Sequence, residues 1–364
     1  MKKVVDVSLP IGPVHPCFKE PARIKCETMG EKVLSAEVEM GYVKKGIEKI
    51  MVGRPWQEVM FLAERICGIC SVIHNMVFIE TVERISDIEV PIRAQYLRVI
   101  VNELDRMQSH LLANYSYCYT IEHETLAMYL INLRETVVDQ LELITGARIT
   151  CAYIIPGGVR FDLRDEDAET LKAALDKCEK DISRFVKIFE EGPLIALRSK
   201  DVGIITKEEI IASQAAGPTA RASGVDFDHR LNHPTYQKLD FKPIVLNSCD
   251  NYARIMLRFK ELFQSIELIR ECLKRLEGLK GETIRGGGEV GEGEFTWTGE
   301  APRGGLTYHV KTNRYGHVEE ISVQTPSIMN MDACAHYMLK GADSAADITA
   351  VFISSDPCIS CNER

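Results

Sequence analysis

Four cysteines stand in two C-x-x-C pairs, Cys67 and Cys70 in RICGIC and Cys358 and Cys361 in DPCISCNER. The three-residue spacing lets both thiols of a pair face one point on a turn or a first helical turn. Backbone N–H groups there favour the thiolate. Two such pairs converging make a metal site. A redox C-x-x-C needs one pair only and leaves the second unexplained. Structural zinc with four cysteines is the plain alternative. Zinc modules, however, close loops of about 15–20 residues, whereas 287 residues intervene between Cys70 and Cys358. A chain of 364 residues also has length enough for its own core.

The surroundings of the pairs add candidates. His74 lies one helical turn after Cys70 and can donate an N–H to a sulfur; a lone histidine of this kind more often only packs. Asp356 and Pro357 lead into the second pair, and Pro357 stiffens that approach. Cys17, Cys26, Cys118, Cys151, Cys178, Cys249, Cys272 and Cys334 have no ligand-like spacing and read as small buried hydrophobes. GGGEVG, residues 286–291, fits G-x-G-x-x-G by letter. EGEFTWTGEAPRGG follows it with no helical period, so no nucleotide site is expected.

These residues need a scaffold, and the pattern expected is mainly α with peripheral β. ARIKCETMGEKVLSAEVEM alternates about Gly30 and predicts a hairpin in a β-rich part over residues 1–60. A mainly helical part covers 61–280. One helix follows RICGIC to about Asp87, and the next carries Leu97, Ile100, Val101, Leu104, Met107 and Leu111 at helical spacing. Three further helical segments start near Thr125, Glu169 and Asp250, the last bounded by Gly278–Gly281. Residues 281–364 supply a glycine-rich loop, a hairpin about Tyr315–Gly316, a short helix at MNMDACAHYMLKG and the cysteine tail. With no repeat or linker, a single domain over 1–364 with a central bundle of long helices is expected.

Composition is that of an ordinary globular protein, 45% hydrophobic and 27% charged. The net charge of −9 disfavours nucleic acid. No apolar run is long enough for a membrane span. The opening MKKVVDVSLPIGPVHP has no apolar core for a secretory signal, so the twelve cysteines are expected in a reducing compartment.

RICGICSVIH and DPCISCNER resemble the two metal-binding signatures of nickel–iron hydrogenase large subunits, in the right order at opposite ends of the chain. The resemblance implies the large-subunit fold and a binuclear centre. Cys67 and Cys358 would be terminal nickel ligands. Cys70 and Cys361 would bridge nickel to an iron carrying one carbon monoxide and two cyanides. The family's mature chains commonly stop three residues after the last cysteine, as DPCISCNER does. GEAPRGG resembles the segment that brings an arginine, here Arg303, over the nickel. IGPVHPCFKEP resembles the N-terminal signature of energy-converting membrane hydrogenases and of the related complex I subunit, with Glu20 at the proton-relay position. Glu48, in KKGIEK, matches the acidic ligand of a second, structural magnesium or iron. ELDRMQSHLL, ITGARIT, PGGVRFD and GPTARASGVDFDHR extend the resemblance over most of the chain. Two positions depart from the pattern. Arg364 stands where many relatives have a ligating histidine, and a guanidinium offers no lone pair. Lys44 replaces a histidine that lies near the quinone in complex I relatives.

The resemblance implies reversible formation and heterolytic cleavage of H2. Cys358 would be the first proton acceptor, Glu20 the outward carrier and Arg303 a fixed positioning charge. No cysteine set remains for an iron–sulfur cluster in this chain. A cluster-bearing small subunit is therefore implied, with further iron–sulfur and ion-translocating membrane subunits, ferredoxin and maturation proteins. The chain would sit peripherally on the cytoplasmic face of the membrane. A carbon-monoxide-linked hydrogenase, a complex I-like or sulfur-reducing relative and a zinc-stapled structural subunit are the alternatives.

Overall fold

A computed structural model describes residues 7–364. The two lysines of the opening segment lie outside the described residues. The chain begins with an antiparallel meander, β1 (Val7–Ile11), β2 (Arg23–Met29) and β3 (Lys32–Glu39). Alternation along β2 turns Ile24, Cys26 and Thr28 inward. Gly30, at φ 59°, makes the turn into β3, as the sequence pattern predicts.

The expectation of strands and turns through residue 60 is corrected by two helices, α1 (Ile47–Met51) and α2 (Trp56–Glu64). Val59, Met60 and Ala63 of α2 share a buried face, a helical spacing masked by the strand-like run before it. A turn through RICGIC then leads into α3 (Ser71–Ile85). Next come α4 (Ile92–Thr120) and α5 (Glu124–Thr145). A two-residue ladder, β4 (Ile154–Ile155) and β5 (Gly158–Val159), precedes α6 (Asp165–Glu191). Four short helices follow: α7 (Pro193–Ser199), α8 (Lys207–Ser213), α9 (Gly217–Arg221) and α10 (Pro234–Gln237). The last long helix is α11 (Asn251–Glu277), stopped at Gly278.

Helix α4 is the axis of the molecule. It packs against α5, α11 and α3, and its six spaced apolar residues, Leu97 to Leu111, are all buried. Polar residues of the same helix are buried as well, including Glu103, Asp105, Arg106 and His110. A helix hidden on every side must satisfy such groups internally.

A second meander, β6 (Gly293–Ala301), β7 (Gly304–Thr312) and β8 (Val318–Gln324), lies against α3. The hairpin about Tyr315–Gly316 is β7–β8. Strand β6 forms from residues expected to be loop: GEFTWTGEA pairs along the full length of β7, from Gly293 with Thr312 to Ala301 with Gly304. Its glycines and acidic residues hid the strand signal carried by Phe295, Thr296, Trp297 and Thr298. Helix α12 (Pro326–Ala333) runs on into a π-helical turn at Cys334–Met338. Helices α13 (Ile348–Ser354) and α14 (Ile359–Asn362) bring the tail against α4 and α12. Among the described residues no helix is long and apolar enough to cross a membrane.

Candidate metal centre

The two C-x-x-C pairs meet in the interior. Cys70 is the residue before the first turn of α3, and Cys358 holds the same position before α14. The first pair therefore sits on the bend entering α3, whereas the second straddles the start of α14, with Cys361 inside that helix. Cys67 Sγ is 3.3 Å from Cys358 Sγ and 3.3 Å from Cys70 Sγ. Cys361 Sγ is 3.0 Å from Cys358 Sγ and 3.9 Å from Cys70 Sγ. All four cysteines are buried and none is in a disulfide. The sulfurs of Cys67, Cys70 and Cys361 all lie within 4.8 Å of one another.

Hydrogen bonds from its cysteine neighbours, Cys358 first, pull the Cys67 thiol well below its ordinary pKa, whereas Cys70 and Cys361 are pushed well above theirs. All four sulfurs could ionise together only with positive charge among them. A dry, all-sulfur donor set suits a soft ion such as nickel, iron or zinc, so these residues fit a metal centre.

Fixed cations stand beside the sulfurs. Ala301 pairs with Gly304 across the β6–β7 turn, which leaves Arg303 at its tip. Gly217 allows the close approach of this turn, since a Cβ there would lie 2.3 Å from the Arg303 carbonyl oxygen. Asn330 Nδ2 donates to that same carbonyl at 3.1 Å. The Arg303 guanidinium donates to the Asp356 carbonyl and carboxylate, both at 3.1 Å, and to Ser109 Oγ at 3.1 Å. Lys19 Nζ reaches the same carboxylate oxygen at 3.1 Å. Burial opposes ionisation of Asp356, but Arg303 and Lys19 hold its carboxyl far below the usual range. Burial also opposes the Arg303 charge, and Asp356 with the neighbouring thiols keeps it firmly protonated. Asp356 takes φ 55°, a left-handed turn that Asp tolerates better than most residues, and this turn feeds directly into Cys358.

His74 is brought to the centre, facing Cys361 and not its helix neighbour Cys70. Burial lowers its pKa to about 4, so the ring is neutral. Tyr308 of β7 keeps its hydroxyl proton, because burial raises its pKa. The hydroxyl lies 2.7 Å from His74 Nδ1, and the other ring nitrogen, Nε2, lies 3.6 Å from Cys361 Sγ, so the neutral ring bridges β7 to the sulfur cluster.

Glu20 is placed at the second pair. Its half-buried carboxylate accepts from the Ser360 backbone N–H at 2.7 Å and from the Ser360 hydroxyl. Glu48 lies apart from the sulfurs, accepting from Val323 N–H at 2.8 Å and Arg364 Nε at 3.2 Å.

Sequence reasoning passed over several neighbours. Lys19 sits beside the Glu20 it singled out, and Ser109 lies inside ELDRMQSHLL. Tyr308 carried no signal apart from β7. Two buried carboxyls behind the RICGIC turn were also missed. Burial raises Asp105 and Glu64 to about 7 each. Gln108 donates to Asp105 at 3.0 Å, and Ala152 N–H donates to Glu64 at 2.7 Å.

A family described as nickel-dependent hydrogenase matches residues 45–119. The 49 kDa subunit of respiratory-chain NADH dehydrogenase matches residues 121–285. The carbon monoxide-induced hydrogenase of Rhodospirillum rubrum is 34% identical over 98% of this chain and 99% of its own. The membrane-bound hydrogenase subunit alpha of Pyrococcus furiosus is 33% identical over 100% of this chain and 89% of its own. Among solved structures, an archaeal membrane-bound sulfane sulfur reductase covers both chains completely, with a TM-score of 0.92 and 26% identity. The chain is thus an oxidoreductase-family subunit whose relatives work in multi-subunit membrane complexes, and it belongs to the family that joins the large subunits of nickel-dependent hydrogenases to the 49 kDa subunit of respiratory NADH dehydrogenase.

Proposed function

We propose that this chain is the catalytic large subunit of an energy-converting hydrogenase, linked to ferredoxin and to ion translocation through partner subunits. The observation that carries the proposal is the meeting of four buried thiols from two distant C-x-x-C pairs beneath the Arg303–Asp356 ion pair. Cys67, Cys70, Cys358 and Cys361 would hold a nickel–iron group. When bound, that group supplies the polarisation that lets H2 split heterolytically, since H2 itself offers a protein no charge and almost no dipole.

The chain's own residues handle the proton and the field. Cys358 Sγ takes the proton first. Ser360, between the two tail cysteines, donates both its N–H and its hydroxyl to the Glu20 carboxylate, which holds that acid beside the second pair. Glu20 is only half-buried and passes the proton outward. Arg303 stays charged throughout and balances the anionic sulfurs, an attraction that a dry site strengthens. Electrons leave through a cluster in a partner small subunit on the cytoplasmic face of the membrane.

The full-length likeness to a sulfane sulfur reductase favours a second reading, a sulfur-reducing relative of the same fold. Infrared spectroscopy of the purified complex separates the two. Bands for one metal-bound carbonyl and two cyanides are expected. Their absence from a fully metallated sample that contains zinc or lacks nickel would overturn the hydrogenase reading and leave the fold intact.

A further inference from the structure

The second metal implied by Glu48 meets surroundings that do not fit it. Arg364 Nε lies 3.2 Å from Glu48 Oε1. Its Nη1 lies 3.2 Å from the carbonyl oxygens of both Cys361 and Asn362. One carboxylate and two carbonyls would be a reasonable start for a hard cation, which prefers oxygen donors. Here those three oxygens surround a guanidinium. It has no lone pair to give a metal. A magnesium ion needs its oxygens at about 2.0–2.1 Å in octahedral array, and these oxygens stand at hydrogen-bond distance from a planar fork.

The other partners are committed too. Glu48 Oε1 also accepts from Val323 N–H of β8 at 2.8 Å. The Cys361 carbonyl also accepts from Thr325 Oγ1 at 3.2 Å. Both members of the ion pair are largely covered, with side chains 15% and 30% exposed.

We propose that the Arg364 guanidinium is a covalently supplied cation that takes the place of the second metal. It ties the cysteine tail to α1 through Glu48 and needs no ion from solution. The inference rests on this geometry alone and holds whichever ion the four cysteines bind.

Manganese(II) is a suitable probe, because hard oxygen sites accept it and its paramagnetic signal counts bound ions. The intact complex is loaded with manganese and desalted, for wild type, Glu48→Gln, Arg364→His and the double variant. Wild type and Glu48→Gln are expected to retain equal manganese. Arg364→His should retain one more ion per chain, and adding Glu48→Gln should remove it. One ion per chain more in wild type than in Glu48→Gln overturns the proposal. No gain in a folded Arg364→His also overturns it, since the guanidinium is then not what keeps the metal out. If Arg364→His does not assemble, the comparison of wild type with Glu48→Gln decides alone. Nickel counted in the same samples reports separately on the four-cysteine centre.

Discussion

At the scale of single residues, charge and proton carrying are divided among groups of different mobility. Arg303 is locked by three donated hydrogen bonds and a counter-ion. Glu20 has only Ser360 as its hydrogen-bonding partner among the described residues. A glutamine at position 20 keeps an acceptor for the Ser360 N–H and cannot carry a proton. Glu20→Gln should therefore cut hydrogen turnover about 10²-fold or more while leaving nickel content unchanged. Full activity in that variant would remove Glu20 from the path. The four cysteines, Arg303, Glu20 and His74 were all legible in the sequence, because each sits inside a short motif. The partners that fix them were not. Ser109, Tyr308 and Asn330 come from separate elements and lie beside the centre only once the chain has folded.

At the scale of elements, the bend between α2 and α3 combines two demands. It must present Cys67 and Cys70, and it buries Glu64 at the last residue of α2 with no exposure. Burial raises the Glu64 carboxyl from 4.5 to about 7. An acid whose pKa is higher folded than unfolded adds stability below the unfolded value and loses it as pH rises through the folded one. Glu64→Gln should thus match wild type near pH 4 and gain over it by about 2–3 kcal/mol at pH 8, read as the difference between thermal melts. Equal differences at both pH values would mean that Glu64 does not titrate in this range. The long helices were legible because period 3.6 persists over many residues. Helices α1 and α2 and strand β6 were not. The first two are short and follow strand-like alternation, and β6 is rich in glycine and glutamate, whose weak strand preference is overridden by pairing with β7.

At the scale of the whole molecule, a buried ionic network joins the long helices to the second sheet. Arg221 of α9 is fully buried and pairs with Glu261 of α11 and Glu300 of β6, each at 2.8 Å, and with Asp228 at 3.1 Å. Arg230 continues it to Asp228 at 2.8 Å and to Glu103 of α4 at 3.4 Å. Removing one buried partner strands the others. Arg221→Met should cost about 3–5 kcal/mol, measured by urea unfolding at neutral pH, and a loss under about 1 kcal/mol would show that the network does not hold these elements. Composition gives no hint of such pairing, since a buried and an exposed arginine read alike. The meeting of Cys67 with Cys358 has a kinetic corollary. The four sulfurs are sealed between α3 and α14, so an ion among them can leave only when one wall moves. Its departure would then be first order in protein and zero order in chelator, and resistance to a chelator would measure how often the fold breathes, not how tightly sulfur binds.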